Sequence, residues 1–447
     1  MMRGSAPVVS VQHGLLRGVA DRGTFFFGGV PYATAPVGPH RFRPPAPPAR
    51  WDGERPALTP GPAAPQVRCY GVIGQVFGTV LPQGEDCLSL TVRTPELGRA
   101  GLPVLVWLHG GGFALGSGGE PLYQGGAFAR DGVVEVSVTH RLGVDGYAVL
   151  DDPAGRVVNL GLQDQLAALT WVVDNIERFG GDPARITLAG QSAGGMAVAC
   201  LLSSPRAAGL IHRAIIQSPT APLAVPHGTA SRITDQLAEL LGIPGHDVAA
   251  LDGVPREKLL DAQGMLCDEA FVSRDAGRFG EAAAAGMAFM PVIDGDLLPE
   301  DPLTALAAGA ARGVSLLVGS NREETLLMLS DGQALNELGL PEAVLAAYRG
   351  RRPGASDLEL AIEITTDAGF RLPAQAVADA QTPHAEVFTY LFDKPGARHG
   401  DELPYTFGAA ESDLAAAVHG AWVSFITHGR PEHPALPTDL LFPGGTT

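Results

Sequence analysis

The chain has 447 residues, with 31 Lys+Arg against 48 Asp+Glu and a formal net charge of −17. That acidic balance argues against a nucleic-acid partner, whose phosphates need clustered cations; otherwise it only keeps a surface soluble. Hydrophobic residues make up 45%, enough for a large core, and no run of about 18 apolar residues occurs, which excludes a transmembrane helix.

The first 14 residues lack the basic start and apolar stretch of a signal peptide, so the expected location is cytoplasmic. Residues 8–58 read as short alternating strands followed by a Pro-dense run at 44–48, a small antiparallel edge with an extended connection. Short apolar runs at 104–108, 133–138, 186–188, 214–216, 315–318 and 387–391 read as buried parallel strands. Between them, 160–179 carries Leu162, Leu166, Leu169, Val173 and Ile176 at three- and four-residue steps, one face of a helix. Ala- and Leu-rich stretches at 221–290 and 326–383 read as helical excursions above the sheet. Length alone suggests about three domains. The alternation of strand and helix suggests instead one unit over 1–447, a mostly parallel sheet covered on both sides.

The strongest chemical signal is Gly190-Gln191-Ser192-Ala193-Gly194, a G-x-S-x-G sequence placed after a strand and before a helix. A sharp strand-to-helix turn strains the serine backbone and needs small flanking residues, which Gly190, Ala193, Gly194 and Gly195 supply. It raises the hydroxyl over the sheet and sets a helix N-terminus beneath it, where developing negative charge is favoured. A second signal, His109-Gly110-Gly111-Gly112-Phe113, ends the 104–108 strand. The N–H groups of Gly111 and Gly112, with that of Ala193, form a candidate oxyanion hole. Glycine runs also build phosphate loops, but no Lys-Ser/Thr follows this one.

These segments resemble the type-B carboxylesterases, the family of cholinesterases and bacterial para-nitrobenzyl esterases. Phe179-Gly180-Gly181-Asp182-Pro183 through Gly194 is similar to the family's serine signature. Glu85-Asp86-Cys87-Leu88 is similar to its second signature, with Ser89 in place of the usual aromatic or threonine. Phe27-Gly28-Gly29, Arg141-Leu142-Gly143 and Asn159 to Gln165 extend the likeness, which runs to about Gly429. The resemblance implies an α/β-hydrolase fold: a large, mostly parallel central sheet with helices on both faces and helical excursions over the active site. It also implies a Ser-His-Glu triad acting on uncharged carboxylic esters.

Of twelve histidines, His399 lies in a Gly-bounded loop after the 387–391 strand, where a base can reach an elbow serine, and its loop resembles the family's histidine segment. His109 is expected to order the glycine loop, His140 stands where the family usually has tyrosine, and His419 and His428 fall on a predicted helix. The acid must lie between serine and histidine in chain order. Gly319-Ser320-Asn321-Arg322-Glu323-Glu324-Thr325 resembles the family's acid turn and puts the acid at Glu324, with Glu323 competing. Thr325 replaces the glycine usual there.

Ser218 matches a family serine near the active site and reads either as a supporting hydrogen-bond donor or as a turn serine. Cys69 and Cys87 match a disulfide of secreted relatives, and in a reducing cytoplasm are expected as thiols. Phe271, Phe279 and Phe370 read as core packing or as acyl-pocket lining. Leu440 to Phe442 is a candidate replacement for the family's last strand. No metal-ligand spacing or organic cofactor site is apparent; the expected partner is a small-molecule ester, with a monomer favoured. Two readings compete with an esterase: the same triad used as an amidase, carbamate hydrolase or lactonase, and a catalytically silent binding protein. Arginine dominance over only Lys258 and Lys394, with the Ala and Gly excess, suggests a bacterial source.

Overall fold

The computed structural model describes residues 6–67, 81–326, 328–329, 335, 338–432 and 440–441. Its centre is a ten-stranded sheet. In chain order the strands are β1 (Val19–Asp21), β2 (Thr24–Pro31), β3 (Ser89–Thr94), β4 (Leu102–Leu108), β5 (Val134–Val138), β6 (Gly181–Gln191), β7 (Arg213–Gln217), β8 (Ser315–Asn321), β9 (Val387–Phe392) and β10 (Leu440–Leu441). Their spatial order is β10-β9-β8-β7-β6-β4-β5-β3-β2-β1. The six central strands run parallel from β5 to β9. The two edges are antiparallel.

Strand and sequence agree in the middle of the sheet because both faces of these strands are buried, which leaves apolar runs such as 104–108; β5 is the exception, with Glu135 and Ser137 buried between its valines. On β4, Val104, Val106 and Leu108 enter the larger core, while Leu105 and Trp107 enter the second core on the opposite face. The sheet differs from the sequence reading at its ends. The N-terminal strands β1 and β2 join the main sheet through β3, and a separate small sheet formed by Val8–Val11, Gly14–Arg17 and Glu54–Pro56 includes one parallel pair. β6 starts at Gly181, five residues before the apolar run at 186, because Gly181 and its neighbours pair with β4 across an irregular register. Backbone pairing of Leu440–Leu441 with β9 supplies the last, antiparallel strand.

Helices α1 (Leu160–Asn175) and α2 (Ala193–Ser203) serve the larger core. The excursions carry α3 (His227–Leu241) and α4 (Arg256–Ser273), then α5 (Glu342–Arg351), α6 (Asp357–Thr366) and α7 (Leu372–Gln381). Helix α8 (Asp413–His428) closes the second face through Trp422 and Phe425. Two of the sequence motifs are structural ties. Arg141 forms a buried two-point pair with Asp164 on α1, at 2.8 and 2.6 Å. Such a pair is costly to break, since one partner's loss strands a buried charge. Asn159, in the left-handed region, bonds Val292 O, Val292 N and Asp294.

All five central loops that matter leave the sheet at one edge. The C-terminal ends of β4, β6, β7, β8 and β9 precede Gly110, Ser192, Ser218, Glu324 and His399 respectively. In parallel α/β sheets that edge is where ligands bind.

Candidate active site

Ser192 stands between β6 and α2 with φ 56° and ψ −126°, a conformation that L-residues rarely adopt. Such strain costs about 1–3 kcal/mol and persists only where its surroundings enforce it. Here Ser192 N donates to Gln217 O at 2.8 Å, and Met196 N donates to Ser192 O at 2.9 Å. The flanking glycines are required by space. A Cβ on Gly190 would lie 2.4 Å from the Gly194 carbonyl carbon, and one on Gly194 would lie 2.1 Å from Leu108 O. Helix α2 is buried along its length, and its positive N-terminal end lies at Ser192.

His399 Nδ1 lies 2.7 Å from Glu324 Oε2, and His399 N donates to Glu324 O at 3.1 Å. The Glu324 carboxylate is fully buried and takes two further donors on its other oxygen, Ser218 Oγ at 2.6 Å and Asn321 N at 2.7 Å. Because a carboxylate only accepts, Nδ1 carries the proton and Nε2 presents its lone pair. The Gln191 amide nitrogen lies 3.2 Å from Nε2 and therefore donates to it. The basic nitrogen is thus turned toward the residue next to Ser192. Burial opposes charging of His399, yet the bonded Glu324, with Glu402 and Asp401 nearby, raises its pKa above the ordinary 6.5.

Glu323 is placed differently. It stays partly exposed, pairs with Arg322 at 3.5 Å, and only its backbone N reaches the histidine loop, donating to Ala397 O. Thr325 fills the place of the expected glycine by turning its hydroxyl onto α6, 2.7 Å from Thr365 Oγ1. Ser218 is itself in the left-handed region, φ 49°, with its N–H on Gly319 O.

The glycine loop lies against the elbow. A Cβ on Gly110 would sit 3.3 Å from Ser192 Cβ, and one on Gly111, φ +112°, would sit 2.3 Å from Leu115 O. Ala193 is the first residue of α2, so its N–H has no partner within the helix. The rings of His109 and His140 stack at 4.7 Å, and His109 Nδ1 donates to Gly110 O at 2.8 Å, ordering the loop. Burial holds both imidazoles neutral, His109 down to about 3 and His140 to about 4. Met287, from the first excursion, comes within 3.9 Å of where a Gly112 Cβ would be.

One buried acid carries no signal in the sequence. Glu402, three residues after His399, is 1% exposed. It accepts from Gln217 Nε2 at 3.2 Å and from Asn321 Nδ2. Burial, and then the Glu324 charge, raise its pKa above the usual carboxylate range. Asn321 therefore joins the two acids, its N–H on Glu324 and its amide on Glu402.

Of the three phenylalanines, Phe279 is fully buried, Phe271 is half-buried under Arg274, and Phe370 lies on His399 with ring centroids 4.7 Å apart. His419 lies on α8 bonded to Thr406 O and Asp131, and His428 ends that helix. Cys87 is buried and forms no disulfide among the described residues; Cys69 lies outside them. Among the described residues, no three His, Cys, Asp or Glu side chains group as metal ligands, and no helix is long and apolar enough to cross a membrane.

Comparison with known proteins fits this geometry. Residues 5–352 match the family model described as the carboxylesterase family. The chain belongs to the carboxylesterase family. With its esterase relatives, this identifies the protein as a carboxylic ester hydrolase. Among curated members it is 35% identical to the para-nitrobenzyl esterase of Bacillus subtilis, over 96% of this chain and 91% of that one. It is 34% identical to the phenmedipham hydrolase of Pseudarthrobacter oxydans, over 96% and 92%. Among solved structures of the family, a thermophilic PNB esterase superposes with a TM-score of 0.83 at 34% identity, covering 97% of this chain and 93% of its own. A Geobacillus stearothermophilus carboxylesterase gives 0.82 at 34% identity, covering 96% and 92%.

Proposed function

We propose that the protein cleaves uncharged carboxylic esters through an acyl-enzyme on Ser192. The observation that carries this reading is the imidazole of His399, fixed by a buried Glu324 at Nδ1 and turned by Nε2 toward the Gln191–Ser192 elbow. In this scheme Nε2 takes the Ser192 proton as Oγ attacks the acyl carbonyl, then returns it to the leaving alcohol. Once Nε2 is protonated it no longer accepts from Gln191, so that contact breaks as the imidazolium forms. Glu324 holds the tautomer and stabilises the cation, while Ser218 and Asn321 hold Glu324. The N–H groups of Gly111, Gly112 and Ala193 receive the oxyanion, each worth about 2.7–4 kcal/mol in the transition state. Water then releases the acid by the same groups.

We read residues 1–447 as one cytoplasmic catalytic unit in which the two excursions overlie the site, supported by Met287 beside Gly112 and Phe370 on His399. A p-nitrophenyl ester series from acetate to long chains, run beside the matched anilide and carbamate, tests the reaction class. We expect kcat/KM for the best ester to exceed that for its anilide at least about 100-fold, since the poorer leaving group raises the barrier by several kcal/mol. Equal or greater turnover of the anilide or the carbamate would transfer the site to an amidase or carbamate hydrolase.

A further inference from the structure

Helices α6 and α7 are one helical rod interrupted by a π-helical turn, Asp367–Arg371. The sequence supplies the cause. Pro373 has no N–H to give the carbonyl four residues back, and its ring crowds that carbonyl, so an ordinary α turn is disfavoured across Gly369. A π turn takes up one extra residue and resets which side chains face inward; such turns are frequent at functional sites. This one is tied down on every side. Arg371 pairs with Asp367, Tyr348 Oη donates to Asp367 at 2.8 Å, and Arg371 Nη2 donates to Arg322 O at 3.2 Å. One turn earlier, Thr365 bonds Thr325, the residue that follows the acid. The consequence is that Phe370, 9% exposed, lies with its ring centroid 4.7 Å from that of His399, inclined at 41°.

We propose that the π turn serves to lay Phe370 on the His399 imidazole, making Phe370 a positioning residue that holds the base in its working orientation and stabilises the imidazolium through its ring. The inference rests on the esterase reading above and deepens it. Glu324 bonds the imidazole at Nδ1 and Gln191 bonds it at Nε2, both from the ring's edge; the Phe370 ring packs against the imidazole itself and resists its tilting about the line through those two atoms. The reaction also places a positive charge on His399 within the range where a ring quadrupole attracts a cation. The charged groups around His399 are Glu324 from the β8 turn, Glu402, and Asp401 with its partner Arg398 from its own loop, and the Asp367–Arg371 pair beside Phe370. None of these changes when only the ring of Phe370 is removed.

The test compares Phe370→Leu, which keeps apolar bulk but has no ring, with Phe370→Tyr, which keeps the ring. The readouts are kcat and KM for p-nitrophenyl acetate from pH 5.5 to 9, and the His399 titration followed by NMR in the Ser192→Ala background, with Ser192→Ala/His399→Asn used for assignment. We expect Phe370→Leu to lower kcat about tenfold with KM unchanged, and to move the His399 midpoint down by about one pH unit. Phe370→Tyr should stay within about twofold of the parent. If Leu does not fold, Phe370→Met makes the same comparison. A His399 midpoint unmoved in the ring-less variant overturns the proposal, as does a Tyr variant impaired as much as Leu. The NMR titration requires no turnover, so a failure of the esterase reading shows separately, as a parent enzyme that hydrolyses no ester.

Discussion

Replacing Ser192 with Ala is expected to reduce kcat for a short-chain p-nitrophenyl ester by about 10⁶-fold while leaving the thermal midpoint within a degree or two of the parent. The substitution removes one oxygen. It leaves the φ of 56°, the backbone bonds to Gln217 and Met196, and the two glycines that make room for the turn. Stability and activity should therefore separate cleanly. Purified Ser192→Ala with more than a hundredth of the parent rate would move the nucleophile elsewhere, and no other serine is raised on a comparable strand-to-helix turn among the described residues.

The second large effect is expected at Glu324. In Glu324→Gln the amide oxygen can keep the bonds from Ser218 Oγ and Asn321 N, which leaves the NH₂ facing His399. The imidazole must then accept at Nδ1 and carry its proton on Nε2, the tautomer that cannot take the serine proton. A loss of about 10⁴-fold in kcat follows, with little change in KM, by analogy with the same change in other triads. Glu323→Gln is the control, because Glu323 points to Arg322 and away from the imidazole. It should retain activity within about twofold. Steady-state kinetics on the two variants decides between the adjacent carboxylates; a large loss in Glu323→Gln with a mild one in Glu324→Gln would reverse the assignment.

Those two carboxylates illustrate how far the sequence could be read. The elbow was legible because its constraint is local: a positive φ at Ser192 demands small neighbours, and the glycines that satisfy it are written on both sides. The central strands were legible because burial on both faces leaves uninterrupted apolar runs, as at 104–108. Glu324 was narrowed by chain order, but Glu323 and Glu324 have the same chemistry, and only the turn after β8 separates a buried carboxylate from a partly exposed one. Glu402 was beyond reach, since a glutamate in a polar loop ordinarily faces water. It is buried because Gln217 and Asn321, 185 and 81 residues away in sequence, supply its donors. Phe370 was one aromatic among several, and what singles it out is the register change of the π turn, which no hydrophobic period records. Thr325 departed from the expected glycine, and the structure gives the threonine a use that glycine lacks, a hydroxyl tie to α6.

The central claim is that Ser192 is the nucleophile of an acyl-enzyme, and covalent labelling tests it most directly. The parent protein would be treated with an aryl phosphonate ester, the released phenol titrated, and the modified peptide located by mass spectrometry. We expect one equivalent released per chain, complete loss of esterase activity, and a single adduct on Ser192 that is absent in Ser192→Ala. Labelling at another residue, or stoichiometric phenol release from Ser192→Ala, would contradict it.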